Sequence, residues 1–306
     1  MKNEAGSNGL ESMRDRQSEV ERRFSSRSKS YQDAARVQRE SSDRMARSID
    51  PWKESLPPGP VLEIGAGTGL FTRHLDRLFP NRELWITDLS QSMLDEAFNE
   101  VGFDFKVPSH RTFRIHNAED GWFDPTDLQG SPSADLRPFR PDSGESPRMA
   151  WDRPGPWSLI SGNFVAQWFQ DPSDTLSRLA TGIQPGGVLL MAMPGSDSFP
   201  EWKERCREAG IPFTGNPLPD TERLVIQCSN GPFQVDYYEE PFKTTYTSAL
   251  HFFQELRAVG ATTALTGARL STGEFRNLVR MWDASVTPAP VQVTWHLLFL
   301  AIRRDI

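Results

Sequence analysis

Between Val61 and Phe79 the chain runs from a strand through three glycines into a helix, and few folds accommodate that passage. Val61, Leu62 and Ile64 read as a short buried strand, and Gly65, Gly67 and Gly69 follow at once. Leu70, Phe71, Leu75, Leu78 and Phe79 then fall on one stripe of a helix beginning at Leu70. Glycines let backbone N–H groups approach a ligand, because no Cβ stands in the way. The helix N-terminus adds the positive end of its dipole. In an open α/β sheet this is the layout of a nucleotide-type site. The bland alternative is a glycine-rich turn that holds nothing.

The glycine spacing narrows the ligand. A dinucleotide fingerprint is G-x-G-x-x-G. Here Leu70 stands at its last position and the third glycine comes one residue early, at Gly69. The form is E-x-G-x-G-x-G from Glu63 to Gly69, which resembles the first motif of S-adenosylmethionine methyltransferases. Leu84 to Asp88 is a second apolar strand ending in an acid. Asp88 lies about 20 residues past the glycines, where a strand-end carboxylate accepts ribose hydroxyls; the plainer reading makes it a turn residue. Ser90 is a suitable N-cap for a helix carrying Met93, Leu94, Ala97 and Phe98.

With 306 residues, one elaborated domain, or a domain with a lid, fits better than two independent domains. A net charge of -7 argues against a molecule built to sit on nucleic acid or an anionic membrane. Cys206 and Cys228 offer neither a disulfide framework nor metal-ligand spacing, and read as reduced thiols of a cytoplasmic protein without a metal site. The N-terminus lacks the apolar stretch of a signal peptide. The longest apolar runs, Val188 to Met193 and Leu297 to Ile302, are of strand length and too short to span a bilayer. A monomer is expected.

In chain order, residues 1–18 are polar and predicted disordered. Residues 19–56 form a predicted N-terminal helical lid segment, with Ala34, Val37, Met45 and Ile49 as a weak apolar stripe and Tyr31, Ala35 and Gln38 sharing one face. Residues 57–306 are expected to make the S-adenosylmethionine-dependent methyltransferase domain that the glycine motif resembles. Within it, Arg111 to His116 is the third strand, and residues 124–156, rich in Pro, Ser, Asp and Arg, read as a flexible surface insertion. Trp157 to Ser161 is the fourth strand, and Gly162 to Trp168 follows at the carboxyl end of the sheet. Leu176, Leu179, Ala180 and Ile183 mark a helix, and Val188 to Met193 a central buried strand after a Pro-Gly-Gly turn. A helical insert occupies 198–229, with Trp202, Cys206 and Ala209 in step. Phe233 to Glu239 alternates like a strand, Ser248 to Val259 is a helix with Leu250, Phe253, Leu256 and Arg257 in register, and Thr272 to Trp282 is another. Val291 to Ile302 is an edge or near-edge strand.

Three further stretches make the resemblance more specific. They are Phe24 with Tyr31 to Arg39, Ser161 to Trp168, and Tyr246 to Gly267. Together they resemble the malonyl-[acyl-carrier protein] O-methyltransferases of biotin synthesis (BioC type) from about Val20 to Arg303, apart from the 124–156 insertion. The resemblance implies a Rossmann-like methyltransferase fold: a mostly parallel seven-stranded sheet, helices on both faces and a helical lid. It implies S-adenosyl-L-methionine as cofactor and S-adenosyl-L-homocysteine as its product. Glu63, Gly65, Ala66, Gly67 and Gly69 would hold the methionine portion, Asp88 the ribose and Leu89 the adenine face. At the third-strand loop, Asn117 beside Ala118 stands where the family usually has an acid, and its amide oxygen would accept the adenine amino group. Asn163 would line the sulfonium pocket. Tyr31, Gln38, Gln167 and Trp168 would shape the substrate side.

A malonyl carboxylate is ionised at neutral pH, so its methylation needs alignment and removal from water rather than a general base. The sequence shows no paired acid/base motif, in agreement. A carboxylate entering a lidded pocket calls for a cation, and Arg257, Arg269 and Arg276 are candidates. The implied substrate is a malonyl thioester, on acyl-carrier protein or coenzyme A. For an acidic carrier protein two basic clusters present themselves. Arg22, Arg23, Arg27 and Lys29 is preferred over Lys203, Arg205 and Arg207, which alternates with Glu201, Glu204 and Glu208. The competing readings are a trans-aconitate-type carboxyl methyltransferase, a quinone-pathway C-methyltransferase, and an idle protein of the same fold acting as a partner. The glycine spacing disfavours a dinucleotide oxidoreductase.

Overall fold

The computed structural model describes residues 35–102, 109–125, 155–259 and 269–306. Seven strands form one sheet: β1 (Val61–Ile64), β2 (Leu84–Asp88), β3 (Arg111–Ile115), β4 (Trp157–Asn163), β5 (Ile183–Pro194), β6 (Phe233–Tyr246) and β7 (Val291–Arg304). Their order is β3-β2-β1-β4-β5-β7-β6. β1 to β5 run parallel, and β7 pairs antiparallel with both β5 and β6. The helices are α1 (Arg36–Ile49), α2 (Thr72–Leu78), α3 (Gln91–Val101), α4 (Pro172–Ala180), α5 (Pro200–Ala209), α6 (Thr221–Cys228), α7 (Ala249–Ala258) and α8 (Thr272–Val286).

The inner parallel strands β1, β2, β4 and β5 are buried on both faces because helices cover both, whereas the edge strand β3 is partly exposed. Register makes this concrete. Val61 pairs with Leu84 and Leu159, and Leu159 with Val188, so these four share a face. That face packs against Met45 and Ile49 of α1, Leu75 of α2 and Leu94 of α3. Leu62, Trp85, Ile160 and Leu189 point the other way, onto Leu176 and Leu179 of α4 and Leu224 of α6. A third cluster surrounds the first half of β7, where Val293, Trp295 and Leu297 meet Trp202 of α5, Phe252 of α7 and Trp282 of α8.

Several predicted boundaries move. The helix after β1, α2, begins at Thr72, because residues 66–71 are a turn, although Leu70 and Phe71 are buried as expected. Ile183 opens β5 rather than closing α4. β6 continues past Glu239 to Tyr246, since β7 offers a partner at every position to Val291. On α7 the inward side is Ala249, Phe252, Phe253 and Leu256, while Leu250 is 44% exposed. The predicted disordered terminus 1–18, the lid segment before Ala35, Tyr31, the cluster Arg22, Arg23, Arg27 and Lys29, residues 126–154 of the insertion and 260–268 lie outside the described residues. Within the helical insert, Arg205 pairs with Glu208 at 2.7 Å and Arg207 with Glu204 at 2.5 Å, the expected pattern of a solvated ion-paired face.

Candidate active site

β1 and β4 are neighbours although β2 and β3 lie between them in sequence, so the chain order reverses there. Open α/β sheets bind ligands at such a switch point, outside the carboxyl ends of the strands. A cavity of about 1020 Å³, open to solvent, occupies that position. Of the residues singled out from sequence, Gln38, Glu63, Gly65, Ala66, Gly67, Asp88, Leu89, Asn117, Ala118, Asn163 and Trp168 line it.

Gly67 has φ of +56°, a conformation that favours glycine. A Cβ there would meet nothing within 4 Å, so its surface is open. Its N–H donates to Asp88 Oδ2 at 2.8 Å, and the Ser90 N–H donates to Asp88 Oδ1 at 2.9 Å. The β1 loop is therefore fastened to the end of β2 through one carboxylate. Burial pushes the Asp88 carboxyl above its ordinary value, against the backbone N–H groups that favour its charge.

Gly69 does not line the cavity. A Cβ there would stand 2.9 Å from the Ala97 Cα, and its N–H donates to the Ala66 carbonyl at 3.0 Å. This corrects its expected place among the ligand-facing glycines: its missing side chain lets α3 pack against the turn.

Glu63 is 1% exposed on the cavity floor and accepts the Thr72 hydroxyl at 2.7 Å on Oε2. Burial pushes its carboxyl up to about 8, with the nearby Asp88 charge acting in the same direction. Asn117 lines the cavity, but its amide oxygen accepts the Glu119 N–H at 3.1 Å and caps a short 3-10 turn at Ala118–Asp120. Ser90 stands at the N-cap of α3 without a side-chain cap bond; its hydroxyl meets that of Ser92 at 3.0 Å.

Asn163, the last residue of β4, ties the N-terminal helix to the site. Its Nδ2 donates to the Gln38 carbonyl at 3.0 Å and to Ser42 Oγ at 2.8 Å, and its Oδ1 accepts the Ser41 hydroxyl at 2.8 Å. Arg36 on the same helix pairs with Glu255 of α7 at 3.0 Å and lies over the Tyr246 ring at 5.0 Å. Arg44 pairs with Glu240 of β6.

A second cavity of about 610 Å³ adjoins the first, and Gln38, Phe164 and Trp168 line both. Its other walls include Gln167, Phe199, Trp202 and Trp295. Gln167 donates from Nε2 to the Phe164 carbonyl at 2.7 Å. Phe164 and Phe199 have φ of +56° and +65°, the two non-glycine residues with positive φ among those described. Such backbone strain concentrates at functional sites. Sequence reasoning missed both, and also Ser41 and Ser42, because neither positive φ nor a hydrogen bond across about 120 residues has a local signature. Arg257, Arg269 and Arg276 are exposed and line neither cavity. Among the described residues no helix is long and apolar enough to cross a membrane, and no group of three or more His, Cys, Asp or Glu could hold a metal ion.

Residues 34–225 match the model of a family described as a methyltransferase domain. A malonyl-[acyl-carrier protein] O-methyltransferase from Magnetococcus marinus is 29% identical over 236 residues, covering 77% of this chain and 74% of that protein. Another protein of that name, from Ilyobacter polytropus, is 22% identical and covers 94% of this chain and 97% of its own length. Among solved structures, the YcgJ protein from Bacillus subtilis superposes with a TM-score of 0.53 at 11% identity, over 86% of this chain and 99% of that one; this likeness concerns the fold.

Proposed function

This chain belongs to the methyltransferase-domain family, and on that premise we propose that it methylates the free carboxylate of a malonyl thioester, in the early steps of biotin synthesis. It is an S-adenosyl-L-methionine-dependent methyltransferase. The finer assignment draws its support from the malonyl-[acyl-carrier protein] O-methyltransferases that cover most of both chains.

The observation that carries the cofactor's fit is the charge of the first cavity. Its lining includes the carboxyl groups of Glu63, Asp88 and Glu119 and no lysine or arginine. A ligand bearing an ammonium and a sulfonium suits that lining. A pyrophosphate does not, and the Gly67 N–H that would cradle one is already committed to Asp88.

When bound, S-adenosyl-L-methionine supplies a methyl group on positively charged sulfur. The chain's own residues do the rest. Asp88 retains lone pairs for the two ribose hydroxyls. Glu63 and the β1 loop receive the methionine end. Leu89 covers the adenine, with Asn117 and Ala118 at its edge; because the Asn117 oxygen already accepts one N–H, its second lone pair is what remains for the adenine amino group. Gln38, Gln167 and Trp168 shape the substrate side, where the aromatic walls exclude water from an ionised carboxylate and so raise its reactivity. No proton needs to move.

The test compares labelled methyl transfer to malonyl-acyl-carrier protein, malonyl-coenzyme A and free trans-aconitate. Transfer to the thioesters, with little to aconitate, is the expected result. Preference for aconitate would replace the malonyl reading with that of another carboxyl methyltransferase.

A further inference from the structure

Helices α7 and α8 gather positive charge beside the second cavity. From Leu256 to Trp282 the sequence carries four arginines, Arg257, Arg269, Arg276 and Arg280, and one acid, Glu274. All four arginines are exposed. The three acids of these two helices each have a partner within the protein. Glu274 accepts the Ser271 N–H at 2.7 Å in the capping box of α8, Glu255 pairs with Arg36 at 3.0 Å, and Asp283 accepts the Ala249 N–H at 2.7 Å. The arginines thus present positive charge to solvent on a chain whose net charge is -7.

The packing fixes where that charge lies. Ala249 meets Asp283, the Phe252 and Trp282 ring centroids are 5.7 Å apart, and those of Phe253 and Phe275 are 5.1 Å apart. The helices therefore run antiparallel, and the end of α7 stands beside the start of α8. Arg257, Arg269 and Arg276 fall at that end, and Arg280 follows one turn along the same face as Arg276. Leu256 and Val259, also at the end of α7, line the second cavity. From Gly273 to Arg280 the outer stripe of α8 extends about 10 Å. That is wider than one phosphate group and suits an extended acidic surface.

Building on the malonyl thioester reading above, we propose that this face of α7 and α8 is where an acidic carrier protein docks, on Arg269, Arg276 and Arg280, while the thioester arm enters the second cavity. A cavity of about 610 Å³ cannot admit a folded protein, so the reacting group has to be delivered on a slender arm. The walls formed by Phe199, Trp202 and Trp295 suit the apolar parts of such an arm. Docking outside the cavity gives a reason for exposed arginines that stand next to a pocket without lining it. The chain as a whole repels an acidic partner, and a local basic face offsets that repulsion and steers encounter. The face acts on recognition of the carrier, not on methyl transfer.

The experiment compares steady-state kinetics of the full chain on malonyl-acyl-carrier protein, on malonyl-coenzyme A and on malonyl-pantetheine, which has the arm but neither protein nor phosphate. Arg269→Glu, Arg276→Glu and Arg280→Glu together should raise KM for the carrier-protein substrate at least about tenfold and leave kcat little changed. KM for malonyl-pantetheine should not move, and KM for malonyl-coenzyme A should move less than that for the carrier protein. Added salt should raise the wild-type KM for the carrier protein and affect the triple variant less. Replacing the same three arginines by Gln should give a smaller rise with the same selectivity, and thermal melts check that both sets fold. An equal shift for coenzyme A and carrier protein would overturn the inference and make the face a phosphate site. No shift in folded variants would overturn it too, and a carrier-selective rise with Arg22→Glu and Arg23→Glu alone would move docking to the N-terminal segment. Wild-type enzyme that methylates none of the three thioesters would sink the thioester reading, and this inference with it.

Discussion

Asp88 performs two tasks with one carboxylate: it holds the β1 loop through the Gly67 N–H and faces the cavity where ribose would lie. Asp88→Ala removes both. Charge-assisted hydrogen bonds contribute roughly 1.5–3 kcal/mol each, so calorimetry should show S-adenosyl-L-methionine binding weakened at least about tenfold; unchanged affinity in a folded variant would remove Asp88 from the site. Glu63 gives a pH dependence. With its carboxyl pushed up to about 8, it is mainly protonated at pH 7. A cationic ligand beside it favours the carboxylate, so binding releases protons and affinity rises with pH. Between pH 6 and 7.5 the rise should approach but not exceed about tenfold per unit for a single proton. Glu63→Gln should flatten that slope, and an unaltered slope would assign it to another group. At this scale the sequence told which residues lie around the cavity but not how they face. The spacing that puts Gly67 at the cavity also put Gly69 there, yet Gly69 turns its missing side chain toward Ala97. Spacing counts residues along a turn; it does not carry the direction of each Cα–Cβ bond.

The N-terminal helix shows what a hydrophobic pattern leaves out. Val37, Met45 and Ile49 gave α1 a thin apolar stripe, and the buried side also holds Gln38, Ser41 and Ser42. Those polar residues are tolerated in the interface because Asn163 bonds to the backbone or hydroxyl of all three. Asn163→Ala leaves several buried polar groups without partners, each costing roughly 1–3 kcal/mol. A lower thermal midpoint together with weaker cofactor binding is expected, read by calorimetry and thermal melts. Arg36→Ala, which removes a half-exposed ion pair with Glu255, should change both quantities little. Equal effects of the two substitutions would mean that α1 is held mainly by its surface charges. The strands were easier to read than the helix faces. β1, β2, β4 and β5 are buried on both sides, so short, largely apolar runs marked them. On α7 the periodicity put Leu250 in register with Phe253 and Leu256, but the helix turns it outward.

At the scale of the whole molecule, the chain carries a net charge of -7 and also concentrates acids around its main cavity, which suits a cationic cofactor. Mass action then makes the cofactor a stabiliser. At about 100 times its dissociation constant, S-adenosyl-L-methionine should add roughly 2.7 kcal/mol, a rise of several degrees in the melting midpoint; no rise would contradict the proposed cavity. Glycine placement and apolar runs marked the strands and the nucleotide-type loop, and β7 was read as an edge or near-edge strand, while the mostly parallel seven-stranded sheet was implied by the family resemblance. Glycines and apolar runs do not mark the substrate side, since it is assembled from β4, β5, β7, α1, α5 and α7, whose meeting depends on tertiary packing. The central claim is methylation on a carboxylate oxygen of a malonyl thioester, and the most direct measurement locates the transferred methyl. With carbon-13 methyl-labelled S-adenosyl-L-methionine and malonyl-coenzyme A, the account predicts a methoxy carbon signal in the product, removed by mild alkaline hydrolysis; label on carbon, or no transfer by enzyme that binds the cofactor, would contradict it.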